Sequence, residues 1–193
     1  MRYGLLAVGL TDQALAPLLL TISLLAWQAV DRRDWRFRPH VLGGMVVESA
    51  LLAVVLMGCS KLVDAGFHHL DEPGAGASTL AAGSRTGPWL AFIGAGIYEE
   101  FFFRLAMIPL LYRGLRLLAM PGLPACTLAI TASALLFSLA HHAGAPGEVY
   151  SLFAFVFRWL AGVFFAYVFV ARGFGIAVGT HSAYDLLVGW GEI

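Results

Sequence analysis

Residues 97–112, IYEEFFFRLAMIPLLY, place two glutamates and an arginine in a segment otherwise rich in Phe, Leu, Ile and Met. On a helix, Glu100 and Arg104 are four residues apart and pair side by side. Glu99 lies about 100° round the helix from Glu100, which predicts that its carboxylate faces another helix. A free carboxylate in a dry site is suited to general-base chemistry on water. A structural interpretation stays open, in which the Glu–Arg pair fixes packing and Glu99 bonds to a neighbouring helix.

Two further segments place histidines at helical spacing. FSLAH ends at His141, one turn after Phe137, and HSAYD runs from His181 to Asp185, which share a helix face. Taken singly, His141 is more simply an interfacial residue, and His181 and Asp185 could form a hydrogen bond that holds two helices together. Together with Glu99, these groups supply a base, a polarising group and hydrogen-bond donors for an oxyanion. Those are the requirements for the attack of water on an amide.

The elements predicted to position these side chains are membrane helices. The 193 residues are 60% hydrophobic and 12% charged, whereas a soluble domain carries about a quarter charged residues. A bilayer needs roughly 20 apolar residues, and six runs approach or exceed that length: 11–30, 40–62, 89–112, 124–143, 150–171 and 174–190. Lipid offers no backbone partners and the runs lack period-two alternation, so we expect an all-α polytopic membrane helix bundle of about six transmembrane helices. Residues 1–193 read as a single transmembrane domain, with a catalytic core at about 89–190.

The distribution of basic residues predicts the orientation. One side collects Arg32, Arg33, Arg36, Arg38, Arg113, Arg116 and Arg172, and the other has Arg2, Lys61 and Arg85. The positive-inside rule makes the first side cytoplasmic and leaves both termini outside. The formal net charge of zero favours no nucleic-acid partner.

The three motifs resemble those of a known family. EEFFFR fits E-E-x-x-x-R, FSLAH fits F-x-x-x-H and HSAYD fits H-x-x-x-[N/D], in that order on successive late helices. These are signatures of the CPBP family (CAAX protease and bacteriocin-processing, also called Abi) of intramembrane endopeptidases. The resemblance covers residues from about 89 to 190 and implies peptide-bond hydrolysis within or near the bilayer.

The resemblance also implies a role for each site residue. Glu99 would activate the water, with help from His141. His181 and Asp185 would stabilise the oxyanion. Glu100 and Arg104 would hold the first motif helix in place. Asp185 stands where many members have Asn, so we expect it to be protonated, to orient His181 or to bind a metal.

Zinc is the alternative to a glutamate-activated water. Glu99, His141, His181 and Asp185 are the residues that would hold it, with an open position for water. The chain has no HExxH motif, and these residues are spread over three helices without a diagnostic ligand spacing. We therefore favour a Glu-activated water without a tightly bound metal.

The expected partners are the lipid bilayer and a membrane-anchored or lipidated protein or peptide substrate. The expected location is a bacterial inner (plasma) membrane, crossed several times. Arg158 lies in a Phe-rich span that we expect to face lipid and to pack, with a groove for a lipidated or apolar peptide as the alternative. Arg158 itself either pairs with Glu48 or Glu148, snorkels, or anchors a substrate carboxylate.

Two other functions remain as alternatives. A proton- or ion-coupled transporter would use the same ionisable residues as a relay, but the sequence shows no internal repeat and no clear helix interruption. A catalytically silent scaffold or immunity protein would not need three intact motifs.

Overall fold

The computed structural model describes residues 12–30, 38–68, 89–143 and 151–190, which are helical almost throughout and contain no strand. In chain order the elements are α1 (Asp12–Val30), α2 (Pro39–His68), α3 (Trp89–Glu100), a π-helix (Phe101–Met107), α4 (Ile108–Leu117), α5 (Gly122–Ala143), α6 (Leu152–Arg172) and α7 (Phe174–Trp190). Because α3, the π-helix and α4 are continuous, we refer to them together as the α3–α4 rod. The predicted all-α bundle is confirmed, and each predicted span overlaps one helix or the rod.

Three helices of the described part are long and apolar enough to cross a membrane: Pro39–Phe67, Gly122–His141 and Leu152–Arg172. Large apolar side chains such as Leu51, Leu110 and Leu123 are exposed on the outside of the bundle. In water such a surface would be an extensive apolar patch, whereas lipid covers it without cost. The chain is therefore treated as an integral membrane protein.

The α3–α4 rod differs from the plain α-helix predicted for residues 89–112. Pro109 supplies a physical reason, since it has no N–H to donate to the carbonyl of Leu105 and its ring crowds that carbonyl. The wider i→i+5 pattern of the π-helix ends two residues before Pro109. The hydroxyl of Ser133 on α5 donates a hydrogen bond of 2.5 Å to the carbonyl of Phe103 within it. The π-helix thus shifts the register of the side chains along the rod, and the rod continues through it without a break.

The central helix of the described bundle is α7, which packs against α2, α3 and α6. Small residues permit the closest approaches between helices. A Cβ added to Gly96 of α3 would lie 2.5 Å from Oγ of Ser182 on α7, and one added to Gly162 of α6 would lie 3.0 Å from Ala134 on α5. Since backbones approach closely only where side chains are small, these positions draw α3, α5, α6 and α7 around a common interior.

A bidentate ion pair joins α2 to the end of α6. Arg172 donates from Nε to Oε1 of Glu48 at 2.5 Å and from its terminal Nη2 to Oε2 at 2.8 Å. The predicted pairing of Arg158 with Glu48 is therefore wrong. Glu48 lies near the beginning of α2, level with the end of the antiparallel α6, whereas Arg158 lies near the beginning of α6. The other predicted partner, Glu148, lies outside the described residues.

Candidate active site

Glu100 and Arg104 form a buried ion pair where α3 meets the π-helix. Nε of Arg104 lies 3.2 Å from Oε2 of Glu100, and neither side chain is more than 1% exposed. The pairing that their spacing predicted is thus confirmed. An isolated charge in such surroundings is strongly destabilising, so each residue depends on the other.

Aromatic rings enclose the guanidinium of Arg104. Its central carbon lies 4.5 Å from the ring centroid of Phe137 and 5.4 Å from that of Phe165, both within the range of cation–π attraction. One terminal nitrogen also lies 3.4 Å from the carbonyl oxygen of Gly162 on α6. Arg104 therefore ties the α3–α4 rod to α5 and α6, and its supporting role in the reaction stays a prediction.

His181 of α7 is held by Glu100 on its buried side. Its Nδ1 lies 2.7 Å from Oε1 of Glu100, and because an ionised carboxylate only accepts, Nδ1–H is the donor. This bond fixes the imidazole so that Nε2 points the other way, toward Glu99 and Asp185. A second group that binds one ring nitrogen commonly sets the tautomer and orientation of a functional histidine.

His141, near the end of α5, is held in the same manner by its own helix. Its Nδ1 lies 2.9 Å from the carbonyl oxygen of Phe137. A carbonyl oxygen only accepts, so Nδ1–H is again the donor and Nε2 is left for the site.

The carboxylate of Glu99 is where the two histidines meet. Its Oε2 lies 3.5 Å from Nε2 of His141 and 3.6 Å from Nε2 of His181. Oδ2 of Asp185 lies 3.6 Å from that same nitrogen of His181. The Oε2 atom of Glu99 is shielded from solvent and makes no hydrogen bond within the described residues. Helices α3, α5 and α7 thus bring all four predicted catalytic residues into one cluster, with Glu100 and Arg104 behind them.

The cluster has a dry side and an accessible side. The His181 side chain is 6% exposed, whereas those of Glu99 and His141 are 22% and 31% exposed. His141 lies two residues before the end of α5, so the accessible side opens toward that end of the bundle. A substrate can therefore reach Glu99 and His141 while the groups behind them stay out of water.

Phe165 of α6 is a site residue that the sequence reasoning missed, since its span was expected to face lipid and to pack. Its ring is 2% exposed and stacks on the imidazole of His181, with centroids 4.5 Å apart and planes 11° apart. The available signal was the four-residue recurrence of Phe157, Ala161 and Phe165, which form the buried face of α6. That pattern predicts an inward face but not which side chain it meets.

The cluster contains donor types that zinc binds, namely two imidazoles and two carboxylates. Across the four stretches that the structure describes, no three His, Cys, Asp or Glu side chains are placed to hold one metal ion. Both imidazole Nε2 atoms lie 3.5 and 3.6 Å from Oε2 of Glu99, which is near the spacing of roughly 3.3 Å between ligand atoms around a tetrahedral zinc, so the donor types fit zinc although no complete ligand set is placed. The zinc alternative stays a prediction that chelation can test.

The fold and the cluster define an integral membrane protein with a carboxylate–histidine site between its helices. Residues 85–187 match the family described as Type II CAAX prenyl endopeptidase Rce1-like. Because the match covers more than half of the 193 residues, the chain belongs to this family. It is therefore a membrane peptidase of the CAAX-protease type, as its motifs indicated. No curated protein and no solved structure gave a significant match.

Proposed function

We propose that this chain is an intramembrane endopeptidase in which Glu99 activates the water that attacks the peptide bond. One observation carries the proposal. Oε2 of Glu99 has no hydrogen-bond partner in the described structure and is flanked by Nε2 of His141 and Nε2 of His181 at 3.5 and 3.6 Å. Each histidine is already fixed through Nδ1, so both Nε2 atoms are available to water and substrate.

In the proposed reaction, Glu99 accepts a proton from water while the water oxygen bonds to the substrate carbonyl carbon. The carbonyl electrons move to oxygen, and His181 in its imidazolium form donates to this oxyanion through Nε2. The C–N bond then breaks with its electron pair on nitrogen, and Glu99 returns the proton to the leaving amine. One water molecule is consumed, and one carboxyl group and one amine are formed.

The other residues hold these two groups in position. His141 orients the attacking water through Nε2. Asp185 lies close enough to His181 to orient its ring, which favours that role among the three expected for an aspartate at this position. Glu100 and Arg104 fix the opposite edge of the His181 ring from the dry side.

The proposed substrate is a membrane-anchored or lipidated protein, cut near its membrane-associated or C-terminal end. The family description, a CAAX prenyl endopeptidase, supports this class, since a prenylated chain end is both lipidated and C-terminal. The proposed location is a bacterial inner (plasma) membrane. The accessible side of the cluster lies at the bundle end opposite Arg113, Arg116 and Arg172, so a site facing outward suits the removal of C-terminal sorting tails.

The test uses detergent-purified wild type and the variants Glu99→Gln, His141→Ala and His181→Ala with a panel of membrane-anchored peptides. Cleavage is read by mass spectrometry, with and without a metal chelator. We expect wild type to cut and Glu99→Gln to lose about 10² to 10⁴ in kcat, as for the loss of a general base. Glu48→Gln is the matched control, because Glu48 pairs with Arg172 far from the cluster and its loss should leave kcat unchanged.

The outcomes distinguish the two mechanisms of water activation, the assignment of the base, and the peptidase from the transporter. Cleavage that persists in chelator supports water activated by Glu99, whereas chelator inhibition reversed by zinc replaces that mechanism with metal-activated water. Full activity in a well-folded Glu99→Gln variant overturns the assignment of the base. If no peptide is cut and the same variants abolish ion flux in liposomes, the protein is a transporter.

A further inference from the structure

Arg158 of α6 is a cation that the catalytic cluster does not use. It lies inside the span Leu152–Arg172, among the buried residues Phe157, Ala161 and Phe165 of the inward face, and is itself half-buried. Within the described residues it makes no ion pair and no hydrogen bond; the structure places it close to Tyr184 of α7.

A charged side chain within a membrane span is destabilising unless it pairs or faces a polar cavity. The carboxylate of Glu48, one of the two expected partners of Arg158, is held by two hydrogen bonds from Arg172. Among the described residues, no carboxylate compensates this inward-facing arginine, so its donors are available to an anion that enters the bundle.

The position of Arg158 relates it to the cluster. It is seven residues before Phe165 on the same face of α6, about 10 Å along the helix at 1.5 Å per residue, and Phe165 stacks on His181. Its neighbour Tyr184 directly precedes Asp185 in α7. Arg158 thus lies beside the cluster, on the side toward the bundle end where α5 ends and α6 begins.

Guanidinium is planar and presents paired N–H donors that match a carboxylate. A polypeptide always carries one such group at its C-terminal end. Three extended residues span about 10 Å, which equals the rise along α6 from Arg158 to Phe165, the ring stacked on His181, so an extended peptide bound at the cluster can continue toward Arg158. We propose that Arg158 binds the α-carboxylate of the substrate and so directs cleavage to the C-terminal end, an inference that rests on the proposed peptidase function.

The test compares one cleaved peptide as its free acid with the same peptide as its C-terminal amide. With wild type, we expect amidation to lower kcat/KM by about 10- to 100-fold, chiefly through KM, because a hydrogen-bonded charge pair is lost. With Arg158→Gln, the free acid should fall to the level of the amide, and amidation should then have no further effect. Arg158→Lys should recover part of the preference, since it keeps the charge but not the planar donors.

Arg172→Gln is the matched control, because Arg172 lies at the other end of α6 and pairs with Glu48, and it should keep the wild-type preference for the acid. Equal kcat/KM for acid and amide with wild type overturns the role of Arg158, and needs no variant to fold. A preference for the acid that survives in Arg158→Gln also overturns it, since the carboxylate is then bound elsewhere. If wild type cuts neither peptide nor any member of the wider panel, the proposed peptidase function fails and this inference with it.

Discussion

At the scale of single residues, each histidine of the site has one nitrogen committed and one available. Glu100 engages Nδ1 of His181, and the carbonyl of Phe137 engages Nδ1 of His141. Both partners only accept, so Nδ1 carries a hydrogen in both rings and Nε2 faces Glu99. In the proposed reaction, the two histidines therefore depend on acceptors that lie behind them, away from Glu99.

Phe165 should be a positioning residue for His181. Replacing it with leucine removes the ring stacked on the imidazole, and we expect kcat to fall about 10-fold or more with KM little changed, because small misplacements of a catalytic group are costly. Phe165→Tyr keeps a ring and should retain most of kcat.

The matched control for this change is Phe157→Leu. Phe157 is also buried in α6, two turns away, but contacts Phe153 and Tyr184 rather than His181. Both leucine variants should lose similar thermal stability in detergent, roughly 1 kcal/mol for a change that nearly conserves volume. Equal kcat in the two variants would reduce Phe165 to a packing residue.

Arg104 and Glu100 should stabilise the fold only as a pair. Arg104→Met leaves a buried carboxylate short of a counter-ion and should lower the free energy of unfolding by about 3–5 kcal/mol. The double variant Glu100→Met/Arg104→Met removes both charges and should recover most of that loss, while kcat stays low because His181 has lost its acceptor. Thermal unfolding and peptide cleavage measure the two effects separately, and a single variant as stable as wild type would contradict the pairing.

Spacing predicted the local contacts of the site but not the long-range ones. The Glu100–Arg104 pair follows from i, i+4 geometry on one helix, as does the approach of His181 to Asp185. The bond between His181 and Glu100 joins residues 81 apart in the chain, and no periodicity specifies it. It depends on how two helices dock, as does the stacking of Phe165.

At the scale of elements, hydropathy located the helices because lipid requires long apolar runs. Hydropathy predicted that the second span ends at residue 62, whereas α2 continues to His68. Hydropathy does not detect the part of a helix that extends beyond the apolar core of the membrane. The π-helix was missed because its cause is the placement of Pro109 and the hydroxyl of Ser133, neither of which changes the apolar pattern. Such π segments often occur at functional sites, and this one follows Glu100 directly.

The contact between α3 and α7 should control activity through Gly96. Even the methyl group of Gly96→Ala would lie 2.5 Å from Oγ and 3.2 Å from the backbone nitrogen of Ser182, so the hydroxyl must rotate away and the two helices must move apart by a few tenths of an ångström, which shifts Glu99 relative to His181. We expect kcat to fall about 10-fold or more, as for other small displacements of catalytic groups. Adding Ser182→Ala should recover part of the loss by removing the closest atom.

Gly58→Ala on α2 is the control for that variant, because a Cβ there meets nothing within 4 Å. A helical Gly→Ala change at an open position should be neutral or stabilising by roughly 0.5–1 kcal/mol. Equal activity of the two alanine variants would show that α3 and α7 need not approach so closely, and the geometry of the cluster would then tolerate more motion than its burial indicates.

At the scale of the whole molecule, the two ends of the bundle differ in chemistry. Arg113, Arg116 and Arg172 lie at the ends of α4 and α6, on one side. His141 and the accessible side of the cluster lie toward the other, where α5 ends and α6 begins. If the arginines are cytoplasmic, as the positive-inside rule predicts, the site opens on the outer side of the membrane.

Labelling of single cysteines tests this orientation. Cys59 and Cys126 are first replaced by alanine, and a cysteine is then placed at Leu117 or Leu152, which are exposed at opposite ends of the bundle. In intact cells, a membrane-impermeant maleimide should label Leu152→Cys at once and Leu117→Cys only after the membrane is permeabilised. The reverse pattern would turn the site toward the cytoplasm. The substrate would then have to present its C-terminal end from the cytoplasmic side, which removes the support for sorting-tail cleavage but leaves the chemistry of Glu99 and the role of Arg158 intact.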